Sequence, residues 1–110
     1  MFLIVAKYFI PKGYNGMTVF PFVFLKEHQM KENRVLINHE KIHLRQQLEL
    51  LVLPFFVWYL TEYLLQYRRY KNAKLAYRNI VFEREAYANE SDLNYLEKRK
   101  IWQFANYFKN

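Results

Sequence analysis

The chain has 110 residues, 53% of them hydrophobic and 20% aromatic, including ten Tyr and ten Phe. That is enough apolar surface to offset the ordering entropy of one domain and too little chain for two cores, so extended disorder is excluded. There is no cysteine, which removes disulfides, thiolate metal ligands and a thiol nucleophile together; any metal must be held by His, Asp, Glu or water. The formal charge is +7, from 17 Lys and Arg against 10 Asp and Glu, with the excess concentrated in QYRRYKNAK (66 to 74) and LEKRK (96 to 100). Such runs suit anionic partners, but no nucleic-acid-binding signature accompanies them, and no nucleic acid is expected.

In chain order, residues 2 to 10 read as a strand, a short aromatic and β-branched run that stops at the turn cluster PKGYNG. This apolar start is interrupted by Lys7, has no charged leader and shows no small-residue cleavage site, so a cytoplasmic rather than secreted chain is expected. A second extended run follows in MTVFPFVFLK (17 to 26), where Pro21 cannot donate to a ladder and predicts an edge strand or a bend. EHQMKEN is a polar connection, and from Arg34 the pattern turns helical to about Leu53. Pro54 then kinks that helix or opens the next one, which runs to about Tyr70. A third helical stretch covers about 73 to 90 and a fourth about 92 to 108, with Ser91 and Asp92 as capping residues between them. The predicted fold class is α+β: one domain over residues 1–110, with a short extended or hairpin region (1–26) packed on a mainly helical body (34–108).

The longest apolar run, LLVLPFFVWYL (50 to 60), falls short of the roughly 20 residues a membrane span needs. Trp58, Tyr59, Tyr63 and Tyr67, followed by Arg68, Arg69 and Lys71, have the make-up of an interfacial anchor, so peripheral contact with an anionic membrane is a second expectation.

The sharpest signal is LINHEKIH (36 to 43). Residues four apart on a helix share one face, so His39 and His43 can reach one metal ion, while Glu40, one step round, can address a water on it. Two neutral imidazoles holding Zn2+ and a carboxylate taking a proton from water are what a zinc hydrolase requires. A catalytic site needs a third protein ligand, and FEREAYANE (82 to 90) offers Glu83 or Glu85, far enough along the chain to fold back.

HEKIH followed by a downstream E-x-E-A resembles the gluzincin metallopeptidases, the thermolysin-like branch of zincins, and small bacterial H-E-x-x-H proteins in which a Gln pair follows the second histidine. The resemblance spans roughly residues 17 to 108, but its chemical content rests on the two motifs. In that family the third ligand is a glutamate followed three positions on by a small residue, and often four on by a polar side chain supporting a ligand histidine. Glu83 fits through Ala86 and Glu85 through Ala88; Glu83 is preferred, with Glu85 the alternative. At the supporting position the two registers offer Tyr87 and Asn89.

The resemblance implies a zincin-like body in which His39, His43 and Glu83 bind zinc and Glu40 is the general base, acting on a peptide or protein substrate. Tyr87, or Tyr77, takes the family's place for a donor to the oxyanion. Gln46 and Gln47 lie three and four positions past His43, and one of them, Gln47 on this reading, joins Asn89 in supporting the ligands. The strand at 17 to 26 occupies the chain position of the edge along which zincins pair an extended peptide. His28 is read as solvated, Asn38 as a helix-surface amide, and Trp58 and Trp102 as core or interface residues. The alternatives are a metal-binding module without turnover and a membrane-peripheral structural protein; oligomeric state is left open.

Overall fold

The computed structural model describes residues 1–108; the last two residues of the predicted 1–110 domain lie outside the described residues. The architecture is α+β. Strands β1 (Phe2–Val5), β2 (Gly16–Val19) and β3 (Phe22–Leu25) form one sheet in the order β1-β3-β2, with β1 parallel and β2 antiparallel to β3. The predicted first strand is therefore shorter than expected, since the chain turns into a 3-10 helix at Lys7–Phe9. The predicted single run at 17 to 26 is two strands, because Pro21, with a cis peptide bond to Phe20, sits in the turn between them. Val23 and Leu25 of β3 are fully buried, and Thr18 turns the inner face of β2 toward the helices.

Helix α1 (Arg34–Leu50) starts where the Asn33 side chain accepts a hydrogen bond from the Leu36 N–H at 3.1 Å. It ends at Leu50, and across Leu51 the chain bends by 111° into α2 (Val52–Tyr70). Pro54, in the first turn of α2, has no N–H to offer the Leu50 carbonyl, and its ring obstructs a helix continued straight through, which accounts for the break. No single helix among the described residues is long and apolar enough to cross a membrane.

The expected third helix is instead two, α3 (Ala73–Arg78) and α4 (Val81–Asn89). The break is stabilised from outside: Glu62 of α2 accepts a hydrogen bond from the Val81 N–H at 2.9 Å, satisfying an orphan donor at the start of α4. The expected fourth helix, 92 to 108, is reduced to α5 (Tyr95–Lys98) and a 3-10 turn at Gln103–Tyr107. Asp92 does act near its start, accepting from the Asn94 N–H, but Arg99 leaves helical geometry to carry its guanidinium to the buried carboxylates of Glu85 and Glu49. A tertiary ion pair here overrides local helix propensity.

Two apolar clusters hold the body together. Phe55 of α2 packs with Ile80, Val81, Phe82 and Phe104, and Trp58, Tyr59 and Tyr63 close over them. Ile42 of α1 packs with Ala86 of α4 and Tyr95 of α5. The small side chain of Ala86 lets α1 and α4 approach closely, which sets the distance across the site described next. The inward packing of Trp58, Tyr59 and Tyr63 also corrects the expected anchor: of its aromatic residues only Tyr67 is exposed. Trp102 is exposed and adds nothing to the core.

Candidate metal centre

Helix α1 presents His39 and His43 on one face, one turn apart, and α4 brings Glu83 against them. The His39 Nε2 and His43 Nε2 atoms stand 3.2 Å apart, and Glu83 Oε1 lies 3.1 Å and 3.0 Å from them respectively. All three residues are buried. Donor atoms about 2.1 Å from a tetrahedral cation lie roughly 3.4 Å from one another, close to the triangle seen here.

Hydrogen-bond chemistry sets the histidine tautomers. His39 Nδ1 lies 2.7 Å from Glu90 Oε1, and a carboxylate oxygen only accepts, so Nδ1 carries the proton. His43 Nδ1 lies 2.8 Å from Gln46 Oε1, and the Gln46 amide is fixed in that orientation because its Nε2 donates to the Phe82 carbonyl and to Glu85 Oε1. With Nδ1 engaged on each ring, both Nε2 atoms turn toward one point, where the carboxylate oxygen adds a third acceptor. Three acceptors with no donor between them repel unless a cation, proton or metal, sits among them. In the protein alone the balance falls on a proton: burial pulls His43 down, but the Glu83 charge and hydrogen bond outweigh this and raise it to about 9. Glu83 is itself held well below the usual carboxylate range, because the two histidines more than offset its burial. The donor set fits a divalent cation bound by two imidazoles and one carboxylate.

Glu83 is steadied by Tyr59 of α2, whose hydroxyl donates to Oε2 at 2.7 Å. Burial and the Glu83 charge push the Tyr59 and Tyr77 hydroxyls far upward, so both remain neutral donors. Glu40 accepts from Thr18 Oγ1 at 2.6 Å, and burial raises its carboxyl above the usual range even though both histidines pull it down. A Cβ on Gly16 would lie 3.2 Å from Glu40 Oε2, so the missing side chain lets β2 lie against this carboxylate. A cavity of about 350 Å3 opens beside Glu40, His43 and Glu83, walled by Phe55, Phe56 and Tyr59 of α2. A smaller one of about 230 Å3 reaches His39 and Glu40 from the other side.

Several expected roles move to other residues. Glu85, the alternative ligand, is fully buried on a different face of α4, where it accepts from Arg99, Tyr95 and Gln46 and takes no part in the triangle. Gln47 does not support a histidine: its Nε2 donates to the Thr18 carbonyl at 2.8 Å and its Oε1 accepts from the Phe20 N–H at 2.7 Å, tying β2 to α1. Gln46 is the histidine's partner. Asn89 donates to the Glu85 carbonyl and to the Tyr107 hydroxyl, and Glu90, the next residue, supports His39 instead. Tyr87 lays its ring edge-on against His39 and pairs its hydroxyl with Tyr77 at 3.1 Å; Tyr77 lines both cavities, whereas Tyr87 lines only the smaller one. Asn38 is buried rather than on a helix surface, and its amide donates to the carbonyls of Glu90 and Asp92 beyond the end of α4. His28 is exposed, as expected.

Tyr59, Glu90, Thr18 and Gly16 join the site although neither motif marks them. Glu90 had a signal, since seven residues beyond Glu83 is two helical turns and the same face. Tyr59 had none, because nothing local distinguishes it among ten tyrosines. Comparison of the chain with protein-family models, with curated proteins and with solved structures returns no significant match.

Proposed function

We propose that the chain is a zinc-dependent metallopeptidase, with His39, His43 and Glu83 holding the ion and Glu40 as general base. The observation that carries this reading is the convergence of two imidazole Nε2 atoms and one carboxylate oxygen on one point, with the Glu40 carboxylate beside them in the cavity that His43 and Glu83 line. Two imidazoles and one carboxylate leave a tetrahedral ion one position open, as catalytic sites require. Zinc held there by His39, His43 and Glu83 would supply Lewis acidity that brings the deprotonation of water near neutral pH.

Glu40 then has two tasks. Its raised carboxyl takes a proton from the attacking water and returns it to the leaving amine as the C–N bond breaks. Strand β2 has β3 on one side only, and its Gly16–Met17 segment lines the larger cavity, which supports main-chain pairing with an extended peptide. Tyr77, a neutral phenol lining both cavities, is the group proposed to donate to the developing oxyanion.

The test pairs zinc stoichiometry with cleavage of a mixed peptide library. Glu40→Gln is expected to keep one zinc per chain and lose hydrolysis, while His43→Ala loses the metal. Hydrolysis that survives Glu40→Gln removes the mechanism. One zinc per chain in a parent protein that cleaves nothing favours a metal that only joins α1 to α4.

A further inference from the structure

We infer that the outer face of α2 docks on an anionic membrane surface. The inference goes beyond the metal site and does not depend on it. Leu53, Val57, Leu60 and Leu64 recur at helical spacing and are 57% to 74% exposed, on the side opposite the buried Phe55 and the inward-turned Trp58 and Tyr59. Leu51, at the break before α2, and Leu65 and Tyr67 on α2 are exposed as well. A stripe of this length along the longest helix has no partner among the described residues, and its apolar side chains are large.

Charge decides what covers it. The stripe's spacing continues into Arg68, and Arg69 and Lys71 follow, all three exposed. From Tyr63 to Phe82 the sequence contains no Asp or Glu. The one acid on α2, Glu62, is committed to Trp58 Nε1 and the Val81 N–H. A second copy of this chain laid on the stripe would bring apolar surface, and the one carboxylate of its α2 and α3, Glu62, is already committed and does not meet these cations. Anionic lipid headgroups supply that charge, while the acyl boundary takes the leucines, which is how an amphipathic helix lies in a bilayer interface. Leu60 also lines the larger cavity, so docking sets the mouth of that cavity at the lipid surface.

Vesicle flotation tests this with the full chain, using phosphatidylcholine vesicles with and without phosphatidylserine at low and high salt. The parent is expected to float with the anionic vesicles at low salt and to be released by high salt. Arg68→Glu with Lys71→Glu is expected to weaken that binding by more than about tenfold, since each basic residue near the surface is worth about fivefold. Leu53→Gln, Val57→Gln and Leu64→Gln together are expected to abolish it, with folding checked by circular dichroism; the charge variant alone decides if the triple variant does not fold. A parent that ignores anionic vesicles overturns the inference, as does binding that neither variant changes. A concentration-dependent dimer that Leu64→Gln dissociates, without lipid binding, assigns the stripe to a second copy and overturns it equally.

Discussion

Glu83 and Glu85 stand two residues apart on α4 and serve opposite needs: Glu83 faces the imidazoles of His39 and His43, and Glu85 faces the guanidinium of Arg99. Two residues on a helix are about 200° apart, so one carboxylate on this short helix reaches α1's histidines while the other reaches the C-terminal segment. Glu83→Gln is therefore expected to lose the metal while the fold persists. Glu85→Gln leaves the buried Arg99 charge short of its partner and is expected to destabilise the protein by about 3 kcal/mol, with the folded fraction still binding metal. Metal analysis beside denaturant titration separates the two, and a swapped pattern would show that the ligand had been assigned to the wrong carboxylate.

The neighbouring glutamines make a second contrast. Gln46 fixes the His43 ring by accepting from Nδ1, whereas Gln47 spans Thr18 and Phe20 to fasten β2 against α1. Replacing Gln46 with Leu is expected to weaken metal affinity by about 10- to 100-fold, the usual effect of removing a ligand's supporting partner. Replacing Gln47 with Leu leaves the Phe20 N–H and the Thr18 carbonyl unpaired and is expected to cost about 1 to 3 kcal/mol of stability with little change in affinity. Competition with a chelator measures the first effect and thermal melting the second.

What the sequence revealed about this site follows from distance along the chain. His39 and His43 were legible because helical period alone places them on one face, and Glu40 because it lies between them. Choosing between Glu83 and Glu85 required the rotation of α4 about its axis, which depends on Glu62 starting that helix at Val81 and on Ala86 meeting Ile42. The groups supporting the candidate ligands come from α1, α2 and the end of α4, and no local pattern links Tyr59 to Glu83 across 24 residues. The fold shows the same division. The α+β class and the break near Pro54 were legible, since proline acts locally; at Pro21 a bend was legible, but not the division of 17 to 26 into two paired strands. The C-terminal helix was misjudged because Arg99's partners, Glu85 and Glu49, lie 14 and 50 residues away.

Gly16 yields a third prediction. A methyl group there meets Glu40 Oε2 at 3.2 Å and the Phe24 carbonyl at 3.4 Å, and the strand pairing of β2 with β3 resists moving the backbone, so the carboxylate must shift. Gly16→Ala is expected to leave metal stoichiometry unchanged while reducing the proposed hydrolysis by about tenfold through displacement of its base. Lost metal in this variant would place Gly16 in support of the ligands rather than of Glu40.

The last prediction concerns pH. In the metal-free protein His43 is raised from its ordinary 6.5 to about 9, burial opposing the shift and the Glu83 charge outweighing it. A raised histidine contributes stability that is fully present below its unfolded value and is lost as pH rises through about 9. Glu83, held low, contributes stability that is present above its ordinary 4.5 and is lost as pH falls through its lower folded value. The pair is thus at full strength between about 4.5 and 6.5 and fades on the alkaline side. Without metal, Tm is expected to decline from about pH 7 to about pH 10. A divalent cation bound there would take the proton's place at the His43 Nε2 atom, so binding is expected to release that proton and remove this source of decline. Melting curves across the range with and without chelator read the difference directly. A metal-free Tm that stays level through pH 9 would mean that no proton is shared between His43 and Glu83, and that the three donors are held together by packing alone.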